Sequence, residues 1–584
     1  MNKRSELLTY MPSLDGIRAL SVLAVIIYHA NKMWLPGGFL GVEVFFVISG
    51  YLITLLLLAE SEKNGSISLK EFWWRRARRL LPALWVVVLG VVVFAALFQR
   101  EMLGTLRGDV VAALLYGFNW FQIWVGTSYF TSFEFVPLRH LWSLAVEEQF
   151  YLIWPIILLT VLKYFGKKNI ARIALIIAII SGTALFLVSL QLDQSNSAKV
   201  SHIYFGTDTH SLGLFLGSAL AVSWIPQNLS ANITRRAQDV IDGIGVVGLL
   251  GLISTFLFID ESNASLYQIA FPLAAIFGCL VIISLVHPAS RFAPIISTPP
   301  FRWIGQRSYG IYIWHWVIFQ VTRPSVDLSG ETWALYLARV LLVLALADIS
   351  LRWVEIPFRQ GQVQTWFRGM KYRSSKERVR QQLSVLVSII AVLAITSSIS
   401  VSAINRSNQI SQVINEELTD KEDSPVDLGS TTGLWVTGDS VILGIRSKLE
   451  NKEHISLVNA RVGRQAPELL AVMRVDQSSV PSSPVIFNLG NNNALSEQTV
   501  AEIFEVIKNQ PQIIVVNTAV PRPWRDSNNE IISKVAAKYA NVKLVDWYKI
   551  SKDRPELFAP DGVHLSPTGS DVYVDLVLSV LVKQ

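Results

Sequence analysis

The sequence predicts a multi-span α-helical membrane domain followed by a soluble, three-layer α/β domain with a parallel sheet. Hydrophobic residues make up 51% of the 584 residues and charged residues only 16%, whereas soluble domains average about 25% charged residues. Apolar runs of about 20 residues, the length that a helix needs to cross a bilayer, recur as far as residue 404. After residue 432, short β-rich runs alternate with helical segments, which predicts parallel strands covered by helices on both faces.

Eleven apolar stretches are interpreted as membrane spans. They cover about residues 15–34, 40–59, 81–99, 141–162, 172–191, 208–225, 239–259, 266–286, 308–326, 333–354 and 383–404. The stretch 108–126 is also apolar, but it is interpreted as a re-entrant or interfacial segment. Counting it as a span would reverse the side of every later loop and break the charge pattern of the loops.

Basic residues concentrate on one side of this topology. Residues 1–404 carry 33 Lys and Arg against 22 Asp and Glu, whereas residues 405–584 carry 18 against 22. With the N-terminus inside, the predicted cytoplasmic segments hold about 25 Lys and Arg and the outer loops about six, as the positive-inside rule requires. We therefore predict a plasma-membrane protein with a cytoplasmic N-terminus and, because the span count is odd, an extracytoplasmic C-terminal domain. The basic excess reflects topology, so no nucleic-acid partner is predicted.

The chain is predicted to divide into four parts. They are a membrane domain of about ten spans (1–382), an eleventh transmembrane helix (383–404), a polar and acidic extracytoplasmic linker (405–432) and the soluble domain (433–584). Within the soluble domain the β-rich runs are 434–437, 485–489, 513–517 and 542–545, and the helical segments include 497–508 and 531–539.

The first predicted strand of the soluble domain runs into Gly438-Asp439-Ser440, at the strand end where open α/β sheets place their ligands. A serine hydroxyl is a weak nucleophile and needs a base. His564 can serve as that base, and Asp561, three residues earlier, can hold the imidazole in the required tautomer. The candidate donors of an oxyanion hole are the Gly463 amide, the Asn492 side chain and the Ser440 amide.

In chain order, four motifs of this domain resemble the SGNH (GDSL-like) hydrolase family. They are Gly438-Asp-Ser440, Gly463, Gly490-x-Asn492 and Asp561-x-x-His564. The resemblance covers about residues 430–584. It implies a Ser–His–Asp site with Gly463 and Asn492 in the oxyanion hole. The alternative is a degenerate fold in which these are turn residues at strand ends.

Polar side chains inside the apolar stretches form a second group of candidates, because ionisable residues are costly in a bilayer and mark functional sites by default. Arg18 and His29 lie at the two ends of the first span, about 16 Å apart along a helix. The others are Glu43 in the second span, Glu147 and Glu148 in the fourth, His315 in the ninth, and the group Arg75, Arg76, Arg78 and Arg79, which is expected to cap the third span on its cytoplasmic side.

Five segments in order are similar to acyltransferase family 3, the integral-membrane acyltransferases. They are Leu14-Asp-Gly-Ile-Arg-Ala through His29, Gly41-Val-Glu-Val-Phe-Phe-Val-Ile-Ser-Gly-Tyr-Leu-Ile, Arg75-Arg-Ala-Arg-Arg-Leu-Leu-Pro, Trp142-Ser-Leu-Ala-Val-Glu-Glu-Gln-Phe-Tyr and Ser308-Tyr-Gly-Ile-Tyr-Ile-Trp-His. The resemblance spans about residues 10–355. Fusion to an SGNH-like domain resembles the bacterial surface-glycan O-acetyltransferases, especially those that modify peptidoglycan.

The resemblance implies an O-acyltransferase that uses acetyl-CoA and modifies a cell-surface glycan, expected to be peptidoglycan muramic acid. His29 would act on the acyl donor, while Arg76 and Arg79, with Arg18, would bind the coenzyme A phosphates, whose oxygens suit the arginine fork. Ser440 would take the acetyl group as an acyl-enzyme and pass it to a sugar hydroxyl. No metal is expected, because the remaining histidines show no ligand spacing: His140, His202, His210 and His287.

Several alternatives stay open at this point. The acceptor could be another surface polysaccharide, such as lipopolysaccharide, an exopolysaccharide or a teichoic-type polymer. The chain could instead be a transporter or flippase with a C-terminal accessory module, because buried charges suit transporters too, or a deacetylase. The arginine group could be ordinary loop charge, and Glu147, Glu148 and His315 could be interior hydrogen-bonded structure. Tyr129 is a candidate relay between the domains, whereas Tyr309 and Tyr312 are interpreted as packing residues.

Overall fold

The computed structural model divides into two compact units, the first within residues 1–396 and the second built mainly from residues 397–584. It describes residues 10–98, 103–125, 136–190, 197–259, 266–323, 332–383, 433–461, 464–492, 495–522, 524–559 and 562–581. The predicted eleventh span and the linker therefore lie outside the described residues, apart from Leu383.

The first unit is all helical in its described residues. Its helices are α1 (Pro12–Ala30), α2 (Gly41–Asn64), α3 (Leu69–Phe98), α4 (Leu103–Leu114), α5 (Phe118–Val125), α6 (Leu141–Tyr164), α7 (Lys168–Leu190), α8 (Ser197–Phe205), α9 (Leu212–Ser223), α10 (Arg235–Phe258), α11 (Phe271–Val286), α12 (Ala293–Ile296), α13 (Pro299–Val321), α14 (Trp333–Ile349), α15 (Ile356–Arg359) and α16 (Gln362–Gly369). Two π-helical turns, Leu266–Ala270 and Ser350–Glu355, extend α11 and join α14 to α15.

Eight of these helical stretches are long and apolar enough to cross a membrane among the described residues. They are Pro12–Ala30, Gly38–Asn64, Leu69–Phe98, Leu141–Tyr164, Lys168–Leu190, Arg235–Phe258, Leu266–Val286 and Trp333–Arg359. Large apolar side chains such as Ile179 and Ile180 on α7 are exposed, as lipid-facing side chains are. The chain is therefore a multi-pass membrane protein, and the predicted membrane class is confirmed.

Two predicted spans, 208–225 and 308–326, are not among these eight helical stretches. The stretch 208–225 contains α9, which has 12 residues and is about 18 Å long at 1.5 Å per residue, shorter than a hydrocarbon core of about 30 Å. The stretch 308–326 falls on α13, which has 23 residues but carries Arg302 and Arg307. The count of eleven spans remains a prediction.

The apolar stretch 108–126 is split between α4 and α5. The break falls at Tyr116, which has a left-handed backbone with φ of 54°, a conformation that is uncommon for a residue other than glycine. Helices of 12 and 8 residues are too short to span a bilayer. This agrees with the prediction that the stretch is not a spanning helix.

The arginine group lies on the helix of the third predicted span. The sequence predicts that the group caps this span, whose predicted start is residue 81; α3 begins earlier, at Leu69, so all four arginines lie on its first turns. The physical reason is that residues 69–80 contain no glycine or proline to stop the helix. Their i, i+3 spacing places Arg76 and Arg79 on one face of the helix and Arg75 and Arg78 on another.

Helices α1 and α13 pack along one another and position the histidines described below. At one end a side chain on Gly305 is impossible, because its Cβ would lie 1.9 Å from the Asp15 carbonyl oxygen. In between, Val22 and Ile26 share an apolar cluster with Ile311. Small residues allow such close backbone approach between membrane helices, and the contact fixes the register of the two helices.

The second unit contains a five-stranded parallel sheet. Its elements are β1 (Leu434–Gly438), α17 (Ser440–Glu450), β2 (Ile455–Ala460), α18 (Ala466–Asp476), β3 (Val485–Asn488), α19 (Glu497–Ile507), β4 (Ile513–Val516), α20 (Arg525–Ala536), β5 (Val542–Val545), α21 (Trp547–Ser551) and α22 (Pro567–Ser579). The strand order is β2-β1-β3-β4-β5 with every pair parallel. The predicted α/β class and four strands are confirmed, and β2 was not predicted.

The two faces of the sheet bury alternate residues. Trp435, Phe487 and Val515 pack on the face covered by α18, α19 and α20. Val436 and Ile514 pack on the face covered by α17 and α22. The strand order reverses direction between β1 and β3, and open α/β sheets bind ligands at the carboxyl ends of the strands where this reversal occurs.

Candidate active site

Ser440 and His564 meet at the carboxyl edge of the sheet. Ser440 is the first residue of α17 and is 7% exposed. Its Oγ lies 2.9 Å from His564 Nε2. A backbone hydrogen bond anchors the His564 loop: the Ala559 amide donates to the His564 carbonyl oxygen at 2.8 Å. A hydroxyl paired with an imidazole at this distance is the arrangement of a serine nucleophile and its base.

Of the other predicted members of this site, the structure describes Asn492 but not Asp561 or Gly463. Asn492 is close to the nucleophile, but its Nδ2 donates to Asp439 Oδ2 at 3.1 Å and to the Arg464 carbonyl oxygen at 3.2 Å. These two bonds occupy both hydrogens of the amide. An oxyanion role for Asn492 remains a prediction, and it requires one of these bonds to be exchanged for the substrate oxygen.

Asp439 organises the site and was not among the predicted site residues. Its Oδ1 accepts from the Val441 amide at 3.0 Å and from Asn488 Nδ2 at 2.7 Å. Its Oδ2 accepts from Asn491 Nδ2 at 2.9 Å and from Asn492. The carboxylate therefore caps α17 and orients both side chains of the loop after β3. Ionised carboxylates bind such donors more strongly than neutral groups do.

We expect the free energy of unfolding of the soluble domain to depend on pH through the titration of Asp439. Burial raises the pKa of Asp439 above its ordinary value of 3.8, although hydrogen bonds from Asn488, Val441 and Asn491 oppose that rise. An acid with a raised folded-state pKa contributes stability below its unfolded pKa and loses that contribution as pH rises through the folded value.

The free energy of unfolding of the wild type minus that of Asp439→Asn should therefore fall as pH rises from below 3.8 towards neutrality. Urea unfolding of the full-length protein in detergent, followed by protease resistance of the soluble domain, measures this difference. A difference that is flat or rises over this range would contradict the assignment.

A small cavity opens between the start of α17 and the loop of His564. It is lined mainly by apolar side chains, together with Asn491 and Asn517: Val441, Ala519, Val520, Trp547, Phe558, Val563 and Tyr573. Val441 follows the nucleophile in the chain, and Val563 precedes the base. Trp547 and Tyr573 are 3% and 2% exposed, so rigid core residues form the inner wall.

In the first unit, α1, α13 and the start of α6 bring three histidines together, which we call the histidine cluster (His29, His140 and His315). His315 Nε2 lies 3.1 Å from His29 Nδ1. The His140 ring centroid lies 5.9 Å from that of His315, and His140 Nε2 lies 3.1 Å from the Ile313 carbonyl oxygen. His315 and His140 are both fully buried. Among the described residues, no three His, Cys, Asp or Glu side chains are arranged to hold a metal ion.

The four arginines of α3 separate into two pairs. Arg75 lies 2.5 Å from Glu60, and Arg78 donates to Gln364 at 3.3 Å. Arg76 and Arg79, by contrast, lie within electrostatic range of each other and of Glu148. The second pair matches the two arginines that the sequence analysis selected.

Arg18 of α1 joins the second pair. It lies within electrostatic range of Arg79 and Glu147, and 3.9 Å from Asp15. The Nε atoms of Arg18 and Arg76 are buried and have no hydrogen-bond partner among the described residues. Although Glu147 and Glu148 lie among these arginines, buried guanidinium donors without a partner are suited to binding an anion.

The remaining predicted polar residues have structural partners. Glu147 accepts from the hydroxyls of Ser49 and Tyr151. Glu43 Oε1 lies 2.5 Å from His210 Nε2, and both side chains are buried. Tyr309 and Tyr312 donate their hydroxyls to the Leu80 and His140 carbonyl oxygens, as expected of packing residues. Tyr129 lies outside the described residues.

Sequence reasoning missed three members of these sites. His140 precedes the Trp142-Ser-Leu-Ala-Val-Glu-Glu segment by two residues, and that position was the available signal. Asp439 stands inside the Gly-Asp-Ser motif itself. His210 had no local signal, because only the packing of α2 against α9 brings it to Glu43.

Known proteins are similar to both units of the chain. The family model described as "Acyltransferase domain" matches residues 11–352. The peptidoglycan O-acetyltransferase OatA of Listeria monocytogenes is 35% identical, and the match covers 98% of this chain and 98% of that protein. The O-acetyltransferase OatA of Staphylococcus aureus is 34% identical, with 98% and 96% covered. A GDSL-like lipase structure from Bacteroides thetaiotaomicron is 18% identical, with a TM-score of 0.22, and covers 29% of this chain and 95% of that chain.

Proposed function

Because this chain belongs to the acyltransferase family whose model it matches over residues 11–352, we propose that it moves acetyl groups from acetyl-CoA to peptidoglycan, at a hydroxyl of muramic acid. The chain is a membrane O-acetyltransferase, since relatives with that activity align with it over nearly its full length. The coenzyme A donor, the peptidoglycan acceptor and the orientation in the membrane are the proposed parts.

The observation that carries the proposal is the 2.9 Å contact between Ser440 Oγ and His564 Nε2. His564 takes the Ser440 proton as the hydroxyl attacks the carbonyl carbon of the incoming acetyl group. His564 then gives this proton to the group that carried the acetyl, which leaves. The acetyl-serine ester is then attacked by the sugar hydroxyl, whose proton passes to His564 as Ser440 leaves. Asp561 is proposed to orient His564. Gly463, the Ser440 amide and Asn492 are proposed to stabilise the tetrahedral oxyanion.

The first unit is proposed to supply the acetyl group. Arg76, Arg79 and Arg18 are proposed to bind the phosphates of acetyl-CoA from the cytoplasmic side. Their convergence and the buried donors of Arg18 and Arg76 support this role. His29 is proposed to act on the thioester, as a general base or a transient acyl carrier.

The cavity beside Ser440 supports a short acyl group. Its wall includes Val520 and Phe558 together with the polar Asn491 and Asn517, and its enclosed space is about that of one water-sized group. The methyl of an acetyl ester is of that size.

Analysis of acetylated muropeptides tests the acceptor. The full-length chain is expressed in a host whose peptidoglycan carries no O-acetyl esters, and purified sacculi are digested for mass spectrometry. We expect base-labile acetyl groups on muramic acid. Ester acetate found only on another surface polymer would overturn the peptidoglycan assignment while leaving the acetyltransferase activity in place.

The predicted orientation can be tested because Cys279 is the only cysteine in the chain. In a Cys279→Ser background, we expect Ser533→Cys on the exposed face of α20 to react with a membrane-impermeant maleimide in intact cells. Ser375→Cys, in the predicted cytoplasmic segment 355–382, should react only after permeabilisation. Both serines are exposed in their own units. Labelling in the reverse pattern would contradict the extracytoplasmic placement of Ser440.

A further inference from the structure

We propose that His315 is a positioning residue that fixes the tautomer of His29, so that His29 carries its proton on Nδ1 and its lone pair on Nε2. The proposal rests on the proposed function of His29 as the residue that acts on the thioester. It assigns a role to the last residue of the Ser308-Tyr-Gly-Ile-Tyr-Ile-Trp-His segment, which the sequence analysis left as a candidate polar site.

The first step of the argument is the hydrogen bond within α13. His315 Nδ1 lies 2.5 Å from the Tyr312 carbonyl oxygen. A carbonyl oxygen can only accept, so Nδ1 must carry the hydrogen. His315 is fully buried, and burying an unpaired charge is costly, which favours the neutral ring. In the neutral ring with a hydrogen on Nδ1, Nε2 holds the lone pair and is an acceptor.

The second step is the contact between the two rings. His315 Nε2 lies 3.1 Å from His29 Nδ1. Since Nε2 of His315 is an acceptor, the hydrogen between these two atoms belongs to His29 Nδ1. The Val25 carbonyl oxygen, one turn earlier in α1, is a second acceptor within reach of the His29 ring. Nδ1 is the ring nitrogen nearer the backbone, and one N–H shared between two acceptors is common in helices. His29 Nε2 is then the nitrogen that can take a proton or attack a carbonyl carbon.

The third step is that the surrounding structure leaves these rings little freedom. The His29 ring packs edge-on against Trp316 at 4.8 Å between centroids, and the Trp316 indole N–H donates to the Val136 carbonyl oxygen at 2.8 Å. The His140 ring packs edge-on against the His315 ring, with 5.9 Å between centroids. The close approach of Gly305 to Asp15 fixes the register of α13 against α1. The Nδ1 to Nε2 contact is therefore set by the backbone.

The chain of groups from the Tyr312 carbonyl through His315 to His29 has the logic of a catalytic triad, in which a third group holds the base in the reactive tautomer. Without the acceptor at His315, the Val25 carbonyl oxygen is the remaining acceptor described here for the Nδ1 hydrogen, and the His29 ring is held less firmly in the reactive tautomer. In such a His315 variant, His29 keeps its place in the fold but holds its lone pair on the reactive nitrogen for only part of the time. The consequence is a lower rate of acetyl transfer with unchanged donor binding.

Two substitutions separate the acceptor from the volume of the side chain. His315→Gln keeps an oxygen that can accept from His29 Nδ1, whereas His315→Leu fills the space without an acceptor. The full-length protein in detergent is supplied with acetyl-CoA and chitooligosaccharide, and release of the thiol gives kcat and KM. We expect kcat of His315→Leu to fall on the order of 10- to 100-fold, as when other hydrogen-bonded orienting partners are lost. KM for acetyl-CoA should not change, and His315→Gln should recover most of the loss.

The controls distinguish this inference from the proposed function of His29. His202→Leu, on a half-buried histidine of the same unit that pairs with Asp208, should leave kcat at the wild-type value. If His29→Ala retains wild-type kcat, the proposed role of His29 fails. If His29→Ala is inactive but His315→Leu is not slower than wild type, or if Gln and Leu at position 315 lose activity equally, the tautomer assignment alone is wrong.

A spectroscopic measurement reads the tautomer without altering His315. The full-length protein is labelled with ¹⁵N-histidine, and the His29 signals are identified by their absence in His29→Gln. We expect an unprotonated Nε2 and a protonated Nδ1 at His29. The opposite assignment would overturn the proposal.

Discussion

Replacing Ser440 with alanine should abolish O-acetylation of the glycan while the protein remains in the membrane. The substitution removes the oxygen that is proposed to form the acetyl ester, and with it the proton that His564 is proposed to take. Loss of the nucleophile in serine enzymes lowers kcat on the order of 10³-fold or more. Ser440 lies in a buried turn, but removing one Oγ leaves no large void, so the fold should persist. Ester-linked acetate on purified sacculi, released by mild base, measures the effect.

A matched control for this variant is Ser533→Ala on the exposed face of α20, which should retain wild-type acetylation. The experiment also addresses the transporter alternative, because a flippase with an accessory module should still export its cargo without the Ser440 hydroxyl. Normal acetylation in Ser440→Ala cells would show that the serine site is not on the transfer route. Loss of the full-length protein from the membrane would instead assign Ser440 a structural role, contrary to the expectation that the fold persists.

Replacing His29 with alanine should stop transfer from acetyl-CoA while sparing the chemistry of the serine site. General acid–base groups contribute on the order of 10²- to 10⁴-fold, and a covalent carrier would contribute no less. The two units are separately compact, so removal of one ring in α1 should leave Ser440 and His564 paired. The measurement compares acetyl-CoA-dependent glycan acetylation with hydrolysis of p-nitrophenyl acetate by the same full-length preparation. The first should be lost and the second should be unchanged.

The outcome of this comparison locates the stage that depends on His29. His202→Ala serves as the control, because that histidine is half-buried and pairs with Asp208 outside the histidine cluster. Loss of both activities in His29→Ala would mean that the substitution disturbs the whole protein. Retention of both would remove His29 from the mechanism and leave the arginines as the only part of the proposed donor site.

The sequence predicted the features that depend on short stretches of chain. The charge and hydropathy of residues 1–404 predicted membrane helices, and the family match over residues 11–352 confirms the resemblance stated for that part. Alternation of β-rich and helical runs predicted the parallel α/β class, because the residue pattern of each run indicates by itself whether that run is a strand or a helix. The pairing of Ser440 with His564 was predicted from motif order, and the structure has it at 2.9 Å.

Predictions were less accurate where an element lacked a local signal. The strand β2 (Ile455–Ala460) was missed because its two C-terminal residues are only half buried and it lies at the edge of the sheet. The third span was predicted to begin at residue 81, whereas α3 begins at Leu69, because hydropathy excludes the charged residues although residues 69–80 contain no glycine or proline and α3 continues through Pro82. Hydropathy also could not separate Arg76 and Arg79 from Arg75 and Arg78, since all four are equally polar.

By itself, the amino-acid sequence determined the membrane class of the first unit and the α/β class of the second, and it selected Ser440 and His564 as the candidate nucleophile and base. These follow from burial and from motif spacing along one segment. The tertiary structure alone decided that His29 meets His315 and that Asp439 orients the loop after β3, and it places Arg18, which the sequence had selected, within electrostatic range of Arg79. Such contacts link residues far apart in the chain, and their hydrogen bonds depend on distances of a few tenths of an ångström that only helix and strand packing sets.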